Sequence, residues 1–521
     1  MNLMNHLPAL ALAVPLLSAF ATPIVALAGP KARNTFISCV SALVTLIVFG
    51  LLCRVLSNGT QIYVMGAESW NISLPSGFAI PVRIILEVDA FNAIVAFIAS
   101  LSALAGTLYG TKFVKKFTGL DCYGALFLLL TAGTLGMILT GDLFNFFVFL
   151  EISSVASFGL IAFWRDRPEA VEASYKYMLV SQLAAQLVLV ALAFIYGRYG
   201  VLNMAAMGSR VQPDLISKVI LTFVLVALGM KCGSFPMHMW MPDAYAEAPA
   251  SVTVLLVAMS QASLLVLVRF CFSIYGTAIG TDVVPWALII LGCLSMFGGV
   301  SMAVVQHEVK RLMGYHSVSQ VGYMLTAFGV GLLALKDPAS MGAYGITAVQ
   351  GGIYHMINYI LYKGLLFLCA GALYMAVGSR DLDKMGGLAR KMPITSAMFL
   401  IAAAAISGLP PFNGFVSKWM IYESVYAVHP ILMVIALVSS VLTLASFVKV
   451  YQAAFLGPER PQFAEVHEVP KPMLVGMGVL AIAILVLSLF PSWTVNTIVA
   501  PAAEALVNKA SYVAAVMGGA L

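Results

Sequence analysis

The residues able to do chemistry are the few ionisable side chains set inside long apolar runs. Glu151 ends the stretch Gly141-Asp142-Leu143-Phe144-Asn145-Phe146-Phe147-Val148-Phe149-Leu150-Glu151, where nearly every neighbour is apolar or aromatic. Lys231 lies in Leu228-Gly229-Met230-Lys231-Cys232-Gly233-Ser234-Phe235-Pro236, again deep in an apolar run. A charge at membrane depth costs about 2.5–3.5 kcal/mol even on lenient insertion scales, so each needs a partner, water or a function. A desolvated amine holds its proton less tightly and a nearby carboxylate restores it, so a Lys–Glu pair can toggle proton occupancy when it opens. Glu151 and Lys231 are the pair expected to work together, with a static ion pair as the alternative; sequence alone leaves their contact open.

A second group is built on imidazoles, which titrate near neutrality. His355 sits mid-run in Gly351-Gly352-Ile353-Tyr354-His355-Met356-Ile357-Asn358, and Lys363 follows eight residues on, on a similar helical face. His307 and His316 flank the basic start of another run, where a loop role competes with a relay role. Lys418, in Gly414-Phe415-Val416-Ser417-Lys418-Trp419, is expected to be buried just past Pro410 and Pro411.

The elements that hold these residues follow from composition. Of the 521 residues, 61% are hydrophobic and only 10% charged, which excludes a soluble fold. Apolar runs of roughly 20 residues, each enough to cross about 30 Å of hydrocarbon, recur from Leu7 to Phe490. The expected fold is an all-α polytopic membrane protein of about fourteen spans. These cover approximately 7–28, 36–56, 84–108, 122–140, 143–163, 174–196, 215–240, 248–275, 283–304, 311–334, 342–376, 393–427, 430–456 and 472–490. The first run carries no preceding Lys or Arg and reads as a span rather than a cleaved signal. The runs 342–376 and 393–427 exceed one bilayer thickness and are expected to be broken or strongly tilted, the latter at Gly408-Leu409-Pro410-Pro411. The longest polar segments are about 57–83, 457–471 and the last thirty residues.

Lys31, Arg33, Lys112, Lys115, Lys116, Arg165, Arg167, Lys310, Arg311, Arg380, Lys384, Arg390, Lys391, Arg460 and Lys471 crowd the odd-numbered loops. The even loops carry fewer, chiefly Arg54, Arg83, Arg198, Arg210, Lys218 and Lys336. The positive-inside rule then puts both termini outside, in the inner (cell) membrane. Residues 1–121 form an N-terminal set of helices, 122–275 and 283–456 two five-helix stretches on one plan, and 457–521 a last helix and tail. In each stretch a Pro-interrupted helix lies beside a Lys, the arrangement from which many transporters build an ion site.

Other chemistry is not supported. Seven cysteines fall singly and never as C-x-x-C, so neither an iron–sulfur nor a zinc site is expected, and no metal or cofactor. Gly386-Gly387 lacks a preceding strand and a G-K-[ST] tail, and no H-E-x-x-H occurs. The net charge of +6 is spread among loops and suggests topology, not nucleic acid.

At these same residues the chain resembles the antiporter-like subunits shared by Mrp-type Na⁺/H⁺ antiporters, respiratory complex I and energy-converting membrane-bound hydrogenases. The resemblance runs over roughly 85–456. It is carried by Thr140-Gly141-Asp142-Leu143-Phe144 through Glu151-Ile152-Ser153-Ser154, and by Lys231 through Phe235-Pro236-Met237-His238-Met239-Trp240-Met241-Pro242-Asp243-Ala244. Lys310-Arg311-Leu312, Ser317-Val318-Ser319-Gln320-Val321-Gly322-Tyr323 and Gly408-Leu409-Pro410-Pro411 through Lys418 add to it. It implies fourteen helices with two inverted five-helix repeats and broken seventh and twelfth helices. Glu151, Lys231, His355 and Lys418 then take the places of the charged residues of the fifth, seventh, eleventh and twelfth helices, which belong to two proton half-channels joined at mid-membrane. His238, His307, His316 and Lys363 are further pathway candidates. Where relatives usually place an eighth-helix lysine, this chain has Gln261 in Ala258-Met259-Ser260-Gln261-Ala262-Ser263. Glutamine relays through water but cannot hold a proton as a cation.

The reading is a proton-translocating subunit of a multisubunit complex that moves H⁺, with Na⁺ as a candidate exchanged ion. It has no redox centre of its own, although its parent complex can be an oxidoreductase. Other membrane subunits and the bilayer are the expected partners. The length, without a long lateral helix, favours the D-type component of Mrp antiporters or the hydrogenase type. The rivals are a non-conducting scaffold, supported by Gln261, and a free-standing secondary transporter, whose mark would be a discrete solute cavity.

Overall fold

Aspartates start several of the helices. Asp89, Asp142 and Asp214 each accept a hydrogen bond from the backbone amide three residues on, at Asn92, Asn145 and Ser217, so that an orphan N–H is satisfied at each helix start. The computed structural model describes residues 3–73, 79–114 and 119–519; Lys115 and Lys116, counted among the loop cations, lie outside the described residues.

The chain begins with α1 (Leu7–Ala26) and α2 (Pro30–Asn58), followed by a two-stranded antiparallel hairpin of β1 (Gln61–Ser73) and β2 (Ala79–Val88). Then come α3 (Ala90–Phe113), α4 (Leu120–Leu139), α5 (Leu143–Ile161), α6 (Pro168–Tyr199), the short α7 (Met204–Arg210), α8 (Leu215–Cys232), α9 (Trp240–Glu247) and α10 (Ala250–Arg269). The second half holds α11 (Val283–Val304), α12 (Val309–Ala334), α13 (Ile346–Val377), α14 (Pro393–Ser407), α15 (Asn413–Val428), α16 (Pro430–Tyr451) and α17 (Lys471–Leu489). It closes with α18 (Ala500–Val507) and α19 (Lys509–Gly519).

Among the described residues, 13 helices are long and apolar enough to cross a membrane. α14 alone is too short, and with α15 behind it completes a further crossing. The apolar crossings are those the hydropathy pattern predicts. α10 is buried along its whole length, and α12 nearly so, which puts these two helices at the centre of the bundle.

Two interruptions matter for the site. α8 stops because Gly233 adopts φ +76°, and the chain runs through Ser234 to Met239 before α9 begins. α14 stops at Gly408, also at φ +76°, and α15 begins at Asn413. This left-handed conformation costs a residue with a Cβ about 1–2 kcal/mol. At Gly408 there is also no room, since a Cβ would lie 2.9 Å from Cδ of Lys418. The peptides Phe235–Pro236 and Pro410–Pro411 are cis.

Three expectations need correction. The run 342–376 contains no break: Pro338–Val377 is continuous helix with one π-helical stretch at Met341–Gly345. Gly351 and Gly352 instead serve close packing, since a Cβ on them would press on Ile421 and Phe328 respectively. Residues 57–83 are not simply a polar connection but carry most of the β-hairpin, with Gln61 opposite Val88 and a register shift between Gly66 and Asn71. The last thirty residues are largely helical, because Tyr512 and Val516 find apolar burial against the bundle.

Loops knit the two faces of the bundle. On the face that carries the described termini, Leu86 bridges Thr140, Asp142 bridges Asn203, and Ser273 donates to the Leu506 carbonyl. On the far face Glu308 bridges Asp381.

Candidate functional site

Lys231 occupies the last turn of α8, directly before the first break, and is 3% exposed. Its Nζ donates to the hydroxyls of Ser154 on α5 and Ser181 on α6. Ser154 spends its own proton on the Leu150 carbonyl, and Ser181 donates to Ser154 at 3.2 Å. Both serines therefore present lone pairs to Nζ, a setting that fits a donor cation, and the Tyr177 ring adds its face 5.7 Å away. Glu151, one turn before Ser154, does not form an ion pair with Lys231. Its Oε2 accepts from Gln182 Nε2 at 3.1 Å, and its Oε1 is buried without a protein partner. The pair predicted from sequence is thus brought into one neighbourhood, α5–α6–α8, with Gln182 on the carboxylate and Ser154 and Ser181 on the ammonium.

The second neighbourhood surrounds His355 on α13. Its Nδ1 lies 3.1 Å from Ser417 Oγ on α15 and its Nε2 3.1 Å from Gln320 Oε1 on α12. Tyr362 OH stands 3.2 Å from Gln320 Oε1 and 3.3 Å from Nε2. With both ring nitrogens engaged on opposite sides, the imidazole can accept a proton on one and release it from the other. Asn358 donates to Ser417 Oγ and to the Asn413 carbonyl, and Asn413 donates back to Asn358 at 2.7 Å, which pins the start of α15. Lys418, 1% exposed, donates to Ser440 Oγ at 2.9 Å and lies 4.9 Å from the Tyr323 ring, which itself is 5.5 Å from His355.

Between the two lies a stretch with one cation. Lys363 on α13 donates to the Met313 carbonyl and sits 5.8 Å from the Phe367 ring, so it faces away from the His355 contacts. Gln261 on α10 donates weakly to Ser260 Oγ at 3.3 Å and leaves its Oε1 without a protein partner. Ser260, Ser317 and Tyr245 surround the Tyr359 hydroxyl in the same region. His316 is fully buried against Phe447, with neither ring nitrogen partnered by protein.

One sequence candidate falls away from this line, and one sits beside it. His307 is a surface residue whose side chain is 69% exposed and pairs with Asp383 at 3.1 Å, because it precedes α12 in a loop that the bilayer does not cover. His238 lies in the first break, stacked on Phe235 at 5.4 Å, with Nδ1 unpartnered. Near the far face, Arg380 holds Glu247 at 2.8 Å and Glu308 at 3.3 Å, while Lys310 donates to the Ala248 carbonyl. Burial raises the Glu308 carboxyl above its ordinary range, against the pull of Arg380 and Lys310.

Sequence reasoning passed over the serine, tyrosine and asparagine partners, whose types are common filler in membrane helices and carry no signal alone. It also passed over Arg269, a charge inside the α10 run that the cost of burying charge could have flagged. Arg269 pairs with Asp89 at 2.7 Å and donates to Asn92 at 2.6 Å.

Comparison with known proteins places the chain. The sequence signature described as NADH:quinone oxidoreductase/Mrp antiporter, TM, matches residues 140–443. The N-type component of the NADH-quinone oxidoreductase of Desulforudis audaxviator is 33% identical over 95% of this chain and 98% of its own. The D-type component of the Na(+)/H(+) antiporter of Bacillus subtilis is 30% identical over 99% of this chain and all of its own. A chain in the Mrp complex from Dietzia sp. superposes with a TM-score of 0.85 at 25% identity, covering 99% of this chain and 100% of that one. A chain in the archaeal membrane-bound sulfane sulfur reductase gives 0.84 at 29%, covering 98% and 99%. Extent of match, fold and the buried charges on the broken helices agree: the chain belongs to the NADH:quinone oxidoreductase/Mrp antiporter transmembrane family, as an antiporter-like membrane subunit.

Proposed function

We propose that the chain translocates protons as one subunit of a multisubunit membrane complex. The route runs from Glu151 and Lys231, past Tyr245, Tyr359 and Lys363, to His355 and Lys418. The observation that carries this reading is the placement of Lys231 and Lys418 against the two breaks, each buried, hydrogen-bonded to neutral hydroxyls and set against a tyrosine ring. An ammonium held by neutral partners can give up its proton without leaving a stranded counter-charge. Unpartnered polar atoms on Glu151, Gln261 and His316 lie along the route, and buried polar groups of this kind are ordinarily satisfied by water. Gln261 then serves as a water-bound relay, and Lys363 is the one cation in the middle stretch.

The two five-helix stretches, 122–275 and 283–456, form repeats in this reading, supported by the matching left-handed glycines at Gly233 and Gly408. The basic far-face loops face the cytoplasm and both termini face outside, in the inner cell membrane. Partner subunits of an Mrp, complex I or hydrogenase type cover the polar segments, with Na⁺ as the candidate counter-ion in the first case.

Proton uptake by vesicles holding the assembled complex tests the reading. His355→Leu and Lys418→Leu should each remove most transport with assembly intact by immunoblot, whereas His307→Ala should leave it near wild type. Retained transport in both leucine variants would remove the second half of the route.

A further inference from the structure

At the far face, the end of α3 meets the starts of α2 and α4 around a cavity of about 400 Å³. Its rim carries Lys31, Arg33 and Lys112. Arg33 is buried and oriented by Asp121 at 2.8 Å and by Asn34, so its single charge is offset. Lys31 and Lys112 are exposed, and neither has an acidic partner among the described residues. The cavity floor is apolar, formed by Ile37 and Phe127.

Two features add positive potential at the rim. α2 and α4 both begin after glycines, Gly29 and Gly119, that offer no side-chain cap, so the first-turn amides are left for another acceptor, in α2 from Lys31 on because Pro30 has no N–H. Both helix dipoles present their positive ends at this level. Beside the rim, Leu27 and Ile24 of the α1 end are 87% and 70% exposed, an apolar surface suited to acyl chains.

We propose that this cavity is a binding site for one anionic phospholipid. The headgroup phosphate lies among Lys31, Lys112 and the amides of the two helix starts, and the acyl chains pass along Ile37 and the exposed α1 side. A phosphate alone would satisfy the rim but not the apolar floor, and a neutral lipid would satisfy the floor but not the two unpaired ammonium groups. A partner subunit's apolar helix would likewise leave both lysines unmatched. The proposal is independent of proton transport, since none of its residues touches the route.

The test uses the detergent-purified, delipidated complex and measures binding by native mass spectrometry and by thermal shift. The probes are phosphatidylglycerol, phosphatidylcholine and inorganic phosphate. Each exposed lysine is worth about fivefold in affinity for an anionic lipid surface. The double variant Lys31→Gln, Lys112→Gln should therefore bind phosphatidylglycerol about 25-fold more weakly and lose its stabilisation, with transport unchanged. Wild type should gain stability from phosphatidylglycerol and from neither of the other probes. Equal stabilisation by phosphatidylcholine, saturation by inorganic phosphate alone, or cross-linking of Lys112→Cys to a partner subunit in place of lipid would each overturn the proposal. So would undiminished phosphatidylglycerol binding by the double variant.

Discussion

The ammonium of Lys231 rests on the hydroxyl of Ser154, one helical turn beyond Glu151 on α5, so the cation is held by a neutral group on the same helix that carries the carboxylate. On the proposed route, a hydroxyl contact in place of a direct ion pair lets Lys231 release its proton when the local geometry changes. Ser154→Ala removes one of the two partners of Nζ. A hydrogen bond to a charged group is worth about 1.5–3 kcal/mol, so proton transport should fall by about tenfold to 150-fold. Ser157→Ala makes the control, since Ser157 donates to the Ser153 carbonyl and does not touch Lys231. Vesicle transport assays of both variants check the difference, and equal rates would count against the serine bridge.

Gly408→Ala should be unusually costly for so small a change. The left-handed φ and the 2.9 Å approach to the Lys418 stem both oppose a Cβ, and together should lower stability by about 1–3 kcal/mol and displace Lys418. A lowered melting temperature of the purified complex, with transport reduced in step with Lys418→Leu, is the expected result. Gly298→Ala serves for comparison, because a Cβ there meets nothing within 4 Å.

A pH dependence is expected at Glu87, in the hairpin outside the spanning helices. Burial raises its carboxyl from 4.5 to about 7, against the hydrogen bonds from Tyr512 and Asn203 and the charge of Arg269, while Asp89 adds to the rise. The folded chain then holds a proton between pH 4.5 and about 7 that the unfolded chain has released. Stability therefore falls as pH rises through that window, by up to about 1.4 kcal/mol per unit. Melting curves across this range should show the slope in wild type and lose it in Glu87→Gln. A parallel slope in both would assign the dependence elsewhere.

Much of this architecture is legible in the chain itself. Apolar runs of bilayer length mark the crossings, and the glycine and proline at 233–236 and 408–411 mark the breaks, because only a few residue types tolerate those conformations. Lys231, His355 and Lys418 stand out because charge and imidazole are rare at such depth. The partners do not stand out. Ser154 and Ser181 come from two helices and meet Lys231 only through tertiary packing, across sequence separations of 77 and 50 residues. The hairpin escapes notice because most of it, 61–83, reads as a polar connection between long spans, and only the end of its second strand merges into the following apolar run. His307 stays open in sequence between a loop role and a relay role because the basic neighbours that mark a helix start also mark a surface, where the structure places it.

The central claim is that Glu151 and Lys231 act as one unit within the α5–α6–α8 neighbourhood. The measurement is proton translocation by the assembled complex in vesicles, for Glu151→Ala, Lys231→Ala and the double variant, with subunit content checked by immunoblot. Losses at residues acting as a unit are not additive. Each single variant should lose most transport, and the double variant should be little worse than either. Near-normal transport by either single variant with normal assembly, or a double variant whose loss is the product of the two single losses, would contradict the account.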